Sequence, residues 1–497
     1  MNTNVTRRQF LAAAALTVGG LAVPGCSTPR SAAHRSARVI GANDDVRVAV
    51  IGFNGRGMDH INGFTKLKGV RLVALCDCDR NVLDKGATEL AAKGIHVEKF
   101  TDVRKLLERG DIDAISTATP NHWHALIAVW ACQHGKDVYV EKPVSHNAWE
   151  GRQIVKAARK YDRIVQTGTQ SRSNPGLREA VEWVQAGNLG RIKLARGLCY
   201  KPRQSIGKVA APTPIPPHVD YDLWCGPSPM NPLMRQKLHY DWHWQFITGN
   251  GDLGNQGIHQ MDIARWALGE HTLSPAVFSV GGRFGYVDDG NTPNSQFVYH
   301  GFKRAPLIFE VRGLPKAREF QTPALWGKNM DVLQGASIGV IVECEGGYLS
   351  IPSYDSAVAY DRSGHEVKRW KGAADHYANF IAAVRSRRPH DLNAEIEEGH
   401  LSSGLCHTAN VSYQLGEKLS PGAVWERLQG NPAASESFGR LNEHLGANGI
   451  DLTRTPIVMG AALEMDTQTE RFTGSSRRAN SMLTREYRRG FEVPSRV

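Results

Sequence analysis

Near residue 50 the chain reads Val48-Ala49-Val50-Ile51-Gly52-Phe53-Asn54-Gly55-Arg56-Gly57, an apolar run that stops in a cluster of glycines. It then passes into a stretch with apolar Ile61, Phe64 and Leu67 at helical spacing. A continuous apolar run of this length suits a strand buried on both faces, and glycines at its end let a helix begin in close contact with it. Further short apolar runs follow at Val70 to Asp77, Ala114 to Thr119, Val138 to Val140 and Ile164 to Thr167, with helical patterns between them. That alternation predicts an α/β fold, a doubly wound parallel sheet covered by helices and complete by about residue 168.

The glycine turn carries chemistry as well as geometry. Backbone amides at a helix N-terminus attract a pyrophosphate, and glycines let it come close. Gly52, Gly55 and Gly57 with Arg56 are therefore candidate nucleotide contacts. Asn54 stands where the second glycine of a G-x-G-x-x-G turn belongs, and asparagine tolerates left-handed backbone better than most residues. The second strand ends in Asp77, twenty-five residues after Gly52, where an acid can accept the adenosine ribose hydroxyls. A carboxylate there repels a 2′-phosphate, so NAD is the expected cofactor; Arg56 and Arg80 keep NADP open. The plain alternative for Asp77 is a solvated acid at a strand end.

The first residues read Thr6-Arg7-Arg8-Gln9-Phe10-Leu11, followed by an apolar run to about Val23 and small residues around Gly25-Cys26. This pattern predicts a twin-arginine export signal, a route that carries folded proteins and so allows a cofactor to be loaded before export, with periplasmic localisation. Val23-Pro24-Gly25-Cys26 also admits a lipoprotein box with Cys26 lipidated, against ordinary cleavage nearby. Signal and linker take residues 1–43. The formal net charge of +11 is inflated by this region, because its first 38 residues hold five arginines and no acid. No basic-aromatic stretch suggests a nucleic-acid surface. Eight cysteines among 497 residues are no disulfide scaffold. They read as small buried residues, and no metal site is expected: HExxH is absent and His122-Trp123-His124 alone is weak.

Two further segments, Ala118-Thr119-Pro120-Asn121-His122-Trp123-His124 and Gly135-Lys136-Asp137-Val138-Tyr139-Val140-Glu141-Lys142-Pro143, carry a family resemblance. It extends through Gln166-Thr167-Gly168-Thr169-Gln170, Tyr221 to Pro227, Gly251 to Asp262 and Asp391 to Cys406. The chain resembles the glucose-fructose oxidoreductase and inositol dehydrogenase (Gfo/Idh/MocA) family in a twin-arginine-exported branch. The resemblance implies a Rossmann domain over 44–168 and a substrate-binding α/β domain over 169–446. The second domain's open, mainly antiparallel sheet would carry the substrate site on one face and often an oligomer contact on the other, so a homo-oligomer is expected. Residues 447–497 form an extension of strand and extended character, wrapping the substrate domain or a partner subunit, with polar Asn431 to Glu443 as a loop before it.

Carried over residue by residue, the resemblance places Lys142 between nicotinamide and substrate, against the alternative of a surface lysine before a turn. Thr119, Asn121 and His124 line the nicotinamide side, with Glu141 and Gln170 among the cofactor contacts. Asn121 equally suits the N-cap of the helix that follows. His259 becomes the general base, the alternative being a structural histidine. Asn255 stands where the family has an aspartate, and either orients substrate hydroxyls or caps a helix. On a regular helix Asn255, His259 and Asp262 share one face. Trp224 heads an aromatic cluster running through Tyr240, Trp242, Trp244 and Phe246 that is shared between a substrate cleft and the core.

The expected activity is oxidation of a carbohydrate or glycoside hydroxyl, C3 being a natural candidate, with a tightly bound cofactor recycled in place. One alternative is redox-neutral glycoside hydrolysis, in which transient oxidation permits elimination of the aglycone. Relatives of that kind carry a Tyr-Pro-Thr-His-Gly-type segment, where this chain has Leu253-Gly254-Asn255-Gln256-Gly257. A non-catalytic sugar-binding protein is the remaining alternative.

Overall fold

The computed structural model describes Gly41, residues 44–474 and residues 477–497. The twin-arginine segment and Cys26 lie outside the described residues. The first sheet is parallel, in the order β3-β2-β1-β4-β5-β6. Its strands are β1 (Val46–Ile51), β2 (Val70–Cys76), β3 (Glu98–Phe100), β4 (Ala114–Thr117), β5 (Asp137–Val140) and β6 (Val165–Thr167). Between them run α1 (Arg56–Thr65), α2 (Arg80–Ala91), α3 (Val103–Leu107), α4 (Asn121–Gln133) and α5 (Ala148–Lys160). Five of the six strands match the apolar runs of the sequence. Short β3, Glu-Lys-Phe, has no such run and forms because it lies at the sheet edge against β2.

The second sheet has twelve strands in the main order β14-β13-β12-β11-β7-β10-β9-β8-β16-β15, antiparallel except for the β7–β10 pair. Its central members are β7 (Ile192–Tyr200), β8 (Ala276–Gly282), β9 (Ser295–His300) and β10 (Leu307–Arg312). On one side extend β11 (Ile338–Cys344), β12 (Gly347–Ile351), β13 (Ser356–Asp361) and β14 (Glu366–Lys371); on the other lie β15 (Glu417–Leu419) and β16 (Ile457–Met459). One face packs on α6 (Pro175–Gln185) and α8 (Ile258–Leu268), with α7 (Tyr221–Cys225) in the long connection between β7 and α8.

Packing crosses the boundaries expected at 168 and 446. Helix α9 (His376–Ser386) returns to the first domain, where Phe380 and Val384 pack with Phe64 and Tyr139. The nineteen-residue α10 (Ile396–Gln414) is buried nearly all round because it lies between the two sheets, against α5 on one side and α8 and β8 on the other. The stretch Asn431 to Glu443 is not a loop. It belongs to α12 (Pro432–Ala447), whose start is set by the Asn431 side chain accepting from Ala434 N at 3.1 Å and by proline at N1. Its apolar Phe438, Leu441 and Leu445, at helical spacing, pack with α11 (Pro421–Leu428) onto Leu194, Val280, Phe297 and Ile308. The face of the sheet expected to be open to a partner is therefore covered over β7 to β10 by the chain's own helices.

The first part of the extension adds strands to the second sheet, as expected, and only its last part lies elsewhere. After β17 (Leu463–Asp466), β18 (Arg471–Phe472) and α13 (Arg477–Ser481) it leaves the second domain and crosses the first. Trp149 N donates to Leu483 O at 3.0 Å, and the Tyr487 hydroxyl donates to Glu150 Oε1 at 2.9 Å. Phe491 meets Trp123 edge to face at 5.6 Å and is 4% exposed. Phe491→Ala should lower the unfolding free energy by about 3 kcal/mol through the cavity it leaves. Denaturant unfolding checks this, and an unchanged midpoint would show that the tail is not part of the folded unit.

Candidate functional site

At the end of β1 Gly52 holds φ +72°, and a Cβ there would lie 2.7 Å from the Thr119 side chain. A Cβ on Gly57 would lie 2.1 Å from Gly52 O, so only glycine lets α1 start this close to the strand. Gly55 differs: a Cβ there meets nothing within 4 Å, and α1 has no side-chain cap. The unsatisfied amides of the first turn thus face open space of the kind a pyrophosphate fills. Asn54 is exposed and is not among the positive-φ residues, so the left-handed backbone allowed for it is not used.

Asp77, half-buried at the end of β2, accepts from Phe53 N at 3.2 Å and Asp79 N at 3.0 Å. Burial pushes its carboxyl up to about 6, against the pull of those two amides. A strap from the second domain closes over this end. Arg80 N donates to His218 O, Asp220 N donates to Cys78 O, both at 3.0 Å, and His239 Nε2 lies 2.9 Å from Asp79 Oδ2. Arg80 also donates from its guanidinium to Pro217 O. Trp224 sits under the strap, 4% exposed, packed with Val219, Leu233 and Leu238 beneath the Arg235 guanidinium. One edge of it lines the groove, on the Asp77 half.

The other half is organised by Glu141. This buried carboxylate accepts from Arg56 Nε at 2.9 Å, Lys142 N at 3.1 Å and Gln170 Nε2 at 3.4 Å, and lies 3.1 Å from His60 Nε2. Burial alone would raise its pKa, but the bond to His60 and the Arg56 charge hold it well below the usual carboxylate range. His60 and Ser116, which complete this brace, were not singled out from sequence; His60 lies four residues after Arg56, on the same face of α1. His124 spans Pro143 O at 2.6 Å and Thr119 O at 2.7 Å, tying the Thr119 turn to the segment after Lys142. The Lys142–Pro143 bond is cis. Asn121 is the first residue of α4 and not its cap; its amide donates to Asn250 Oδ1 at 2.8 Å, joining the two domains.

Opposite stands the segment leading into α8. It is helical from Gly251, and Leu253–Gly257 form a π-turn. Asn255 is inside that turn, so the capping alternative for it falls. The expected stripe is broken at both ends: the π-turn shifts Asn255, and Asp262 is buried, paired with Arg172 at 2.9 Å and with Ser402 in the core. The Lys142 ammonium donates to Asn255 O at 2.7 Å. Burial lowers its pKa, as do Arg56, Lys201 and Arg203, against the pull of Glu141. His259 is half-buried and edge-on to Tyr354 at 5.2 Å, and burial together with Lys142 pushes its imidazole down to about 3. One groove runs from Asp77 past Gly55, Thr119 and Glu141 to Lys142 and Asn255, with Tyr240, Trp242 and His243 along its other wall. His259, Gly57 and Gln170 stand outside that lining, within one residue shell of it.

Residues 46–169 match the oxidoreductase family's NAD-binding Rossmann fold, and residues 188–290 match its C-terminal alpha/beta domain. Over these two regions the chain matches the Gfo/Idh/MocA oxidoreductase family. A glycosyl hydrolase family 109 protein of Shewanella baltica is 33% identical over 172 residues, 31% of this chain and 37% of that relative. An alpha-N-acetylgalactosaminidase of Shewanella oneidensis is 31% identical over the same shares. The chain thus spans little more than a third of the curated relatives it matches. Among solved structures, the WlbA dehydrogenase from Bordetella pertussis in complex with NADH and UDP-GlcNAcA has a TM-score of 0.52 at 18% identity, covering 73% of this chain and 94% of that one. A levoglucosan dehydrogenase in complex with NADH has 0.54 at 17%, covering 72% and 94%. At these identities the fold is what is shared.

The residues present fit NAD: α1 amides for the pyrophosphate, Asp77 for the ribose, and both candidate 2′-phosphate arginines already engaged, Arg56 by Glu141 and Arg80 by the strap. A carboxyl near 6 gives this fit a pH signature. Ionised Asp77 accepts hydroxyl hydrogens, so NAD affinity of the nucleotide-free protein should hold above pH 7 and fall about tenfold by pH 5. Asp77→Asn should bind NAD more weakly at pH 7.5 and lose that dependence. Calorimetric titration across pH checks both; a flat wild-type profile would remove Asp77 from the ribose site.

Proposed function

We propose that the protein is an exported NAD-dependent oxidoreductase acting on a carbohydrate or glycoside hydroxyl, C3 being the natural candidate, with its cofactor retained and recycled in place. The observation that carries the reading is the Lys142 ammonium seated on the Asn255 π-turn in the lining of the groove, with the unprotonated His259 imidazole four residues further on and near enough for the Lys142 charge to depress its pKa. When bound, the nicotinamide supplies the hydride acceptor. The rest is the work of the chain. His259 is positioned to take the hydroxyl proton, and at about 3 it carries none of its own in the neutral range. So low a value makes it a weak base, and the Lys142 charge has to stabilise the developing oxyanion for the transfer to run. The half-exposed Tyr240, with Trp242 and His243, offers the ring faces that pyranoses stack on.

Retention of the cofactor is supported by the strap, which crosses the Asp77 end of the groove through contacts at Cys78, Asp79 and Arg80. Export through the signal around Arg7 and Arg8, a lipid anchor at Cys26 and a homo-oligomer belong to the same proposal. Any such oligomer has to use a surface other than the sheet face under α11 and α12.

A second reading, redox-neutral glycoside hydrolysis, is favoured by the glycosyl hydrolase family 109 relatives. It uses the same groove, with hydride removed and later returned. Mass spectrometry of nucleotide released on denaturation, followed by glycoside panels, separates the readings. Bound NAD(H) with a keto-sugar product supports the oxidoreductase. Released aglycone with no net change in NADH supports the hydrolase. A protein that neither holds nor takes up nucleotide would be a sugar-binding module.

Lys142→Met should lower kcat/KM by about 10² to 10³-fold with nucleotide still bound. Because Lys142 is needed charged and its pKa is lowered, wild-type kcat/KM should decline on the alkaline side below the ordinary lysine range. Unchanged turnover in Lys142→Met would sink the assignment.

A further inference from the structure

Strand alternation puts Lys201 on the same sheet face as Cys199, which is buried under α8 and its π-turn. The Lys201 ammonium emerges just past the end of β7 and donates to Gln256 Oε1 at 3.2 Å. Lys142 reaches the adjacent residue, Asn255, from the other domain. Two ammonium groups are thus seated on consecutive residues of one π-turn, Lys142 within the groove's lining and Lys201 beyond it.

The charges around them do not balance. Arg203 is held by Asp252 through a two-point contact at 2.8 and 2.7 Å, and Arg56 by Glu141 and Asp59. Those arginines are neutralised. Among the described residues neither Lys142 nor Lys201 pairs with a carboxylate; each has only a neutral amide oxygen. Two nearby ammonium ions repel one another by an amount that partial burial enlarges, and a site that tolerates them is completed by an anion. Lys201 is among the charges that lower the pKa values of Lys142 and His259, behind burial and against the pull of Glu141. The nucleotide's own phosphates do not supply the anion, because they belong at the α1 amides on the Rossmann side, whereas Lys201 stands beyond Asn255 among Gln256, Tyr354 and His259.

We propose that the substrate is an acidic sugar, a uronic acid or uronide whose ring carboxylate is held by Lys201 while its reacting hydroxyl faces Lys142 and His259. The proposal rests on the reading of this groove as a sugar-oxidation site and adds the substrate class to it. A carboxylate displaces the Gln256 amide oxygen readily, since a charge-assisted hydrogen bond is roughly twice as strong as a neutral one. Gln256 is then left with the Tyr354 hydroxyl, to which its amide already donates.

The test compares methyl glucuronide and methyl galacturonide with the corresponding methyl glucoside and methyl galactoside on the nucleotide-loaded protein. The expected result is a kcat/KM preference of about tenfold or more for one uronide over its neutral counterpart. In Lys201→Gln that ratio should collapse towards one, in Lys201→Arg it should persist, and bound nucleotide should be unchanged in both. Equal or better use of the neutral sugars, or loss of nucleotide from Lys201→Gln, overturns the proposal while leaving the oxidation reading in place. If none of the four glycosides reacts, the oxidation reading fails for these sugars, and calorimetric titration with glucuronate against glucose decides the anion site by itself. No preference for glucuronate in that titration overturns it.

Discussion

The Glu141 carboxylate is the charge on which the arrangement of the groove depends. It is buried at the end of β5 and satisfied from three directions: Arg56 and His60 from α1, the backbone amide of Lys142, and Gln170 from the segment after β6. A Cβ on Gly168 would lie 2.8 Å from this carboxyl, so the glycine beside it makes the room it occupies. An ion in such a place is costly unless fully partnered, and loss of one partner leaves an uncompensated buried charge. Helix α1 and the Lys142 segment are therefore held in fixed relation by a single group.

Around that brace the chain closes on itself twice. The strap between β7 and α8 ties its own backbone to Cys78 and Arg80, and its His239 to Asp79, over the Asp77 end of the groove. The C-terminal extension crosses the first domain, and Arg485 brings a half-buried guanidinium to His146 and Ile247 O. Asn250 connects these regions, since it receives the Asn121 amide and donates to His146 O at 3.0 Å before the helical segment begins. The first domain is in this way lined by residues from three distant parts of the chain. This explains why α9, α10 and the extension pack across the boundaries that composition suggested.

Much of the first domain was legible because its signals are local. Buried parallel strands show as continuous apolar runs, the glycine turn obeys hard-sphere limits, and Asp77 ends the second of those runs. Where the reading failed, a local rule met a competing local or tertiary one. Asn431 to Glu443 was read as a loop from its polarity, yet an Asn-Pro cap and an apolar stripe of only three residues were enough once the sheet face was there to cover. The stripe through Asn255, His259 and Asp262 assumed a regular helix on one exposed face, whereas a π-turn shifts Asn255 and core partners Arg172 and Ser402 take Asp262. Asn121 looked like a cap but begins its helix inside the first turn, with its amide spent on the other domain.

By itself the sequence determined the run of buried strands along the first domain, the nucleotide turn, the acid at the end of β2 and the Glu141-Lys142-Pro143 segment, because each depends on residues within one or two turns of chain. The tertiary structure alone decided that Lys142 meets Asn255, 113 residues away, that Lys201 stands beside them without a carboxylate, and that the last residues cover the first domain. Those relations depend on sheet register, on one extra residue in a helical turn and on which surfaces remain to be buried. None of these has a signature within any short window of sequence.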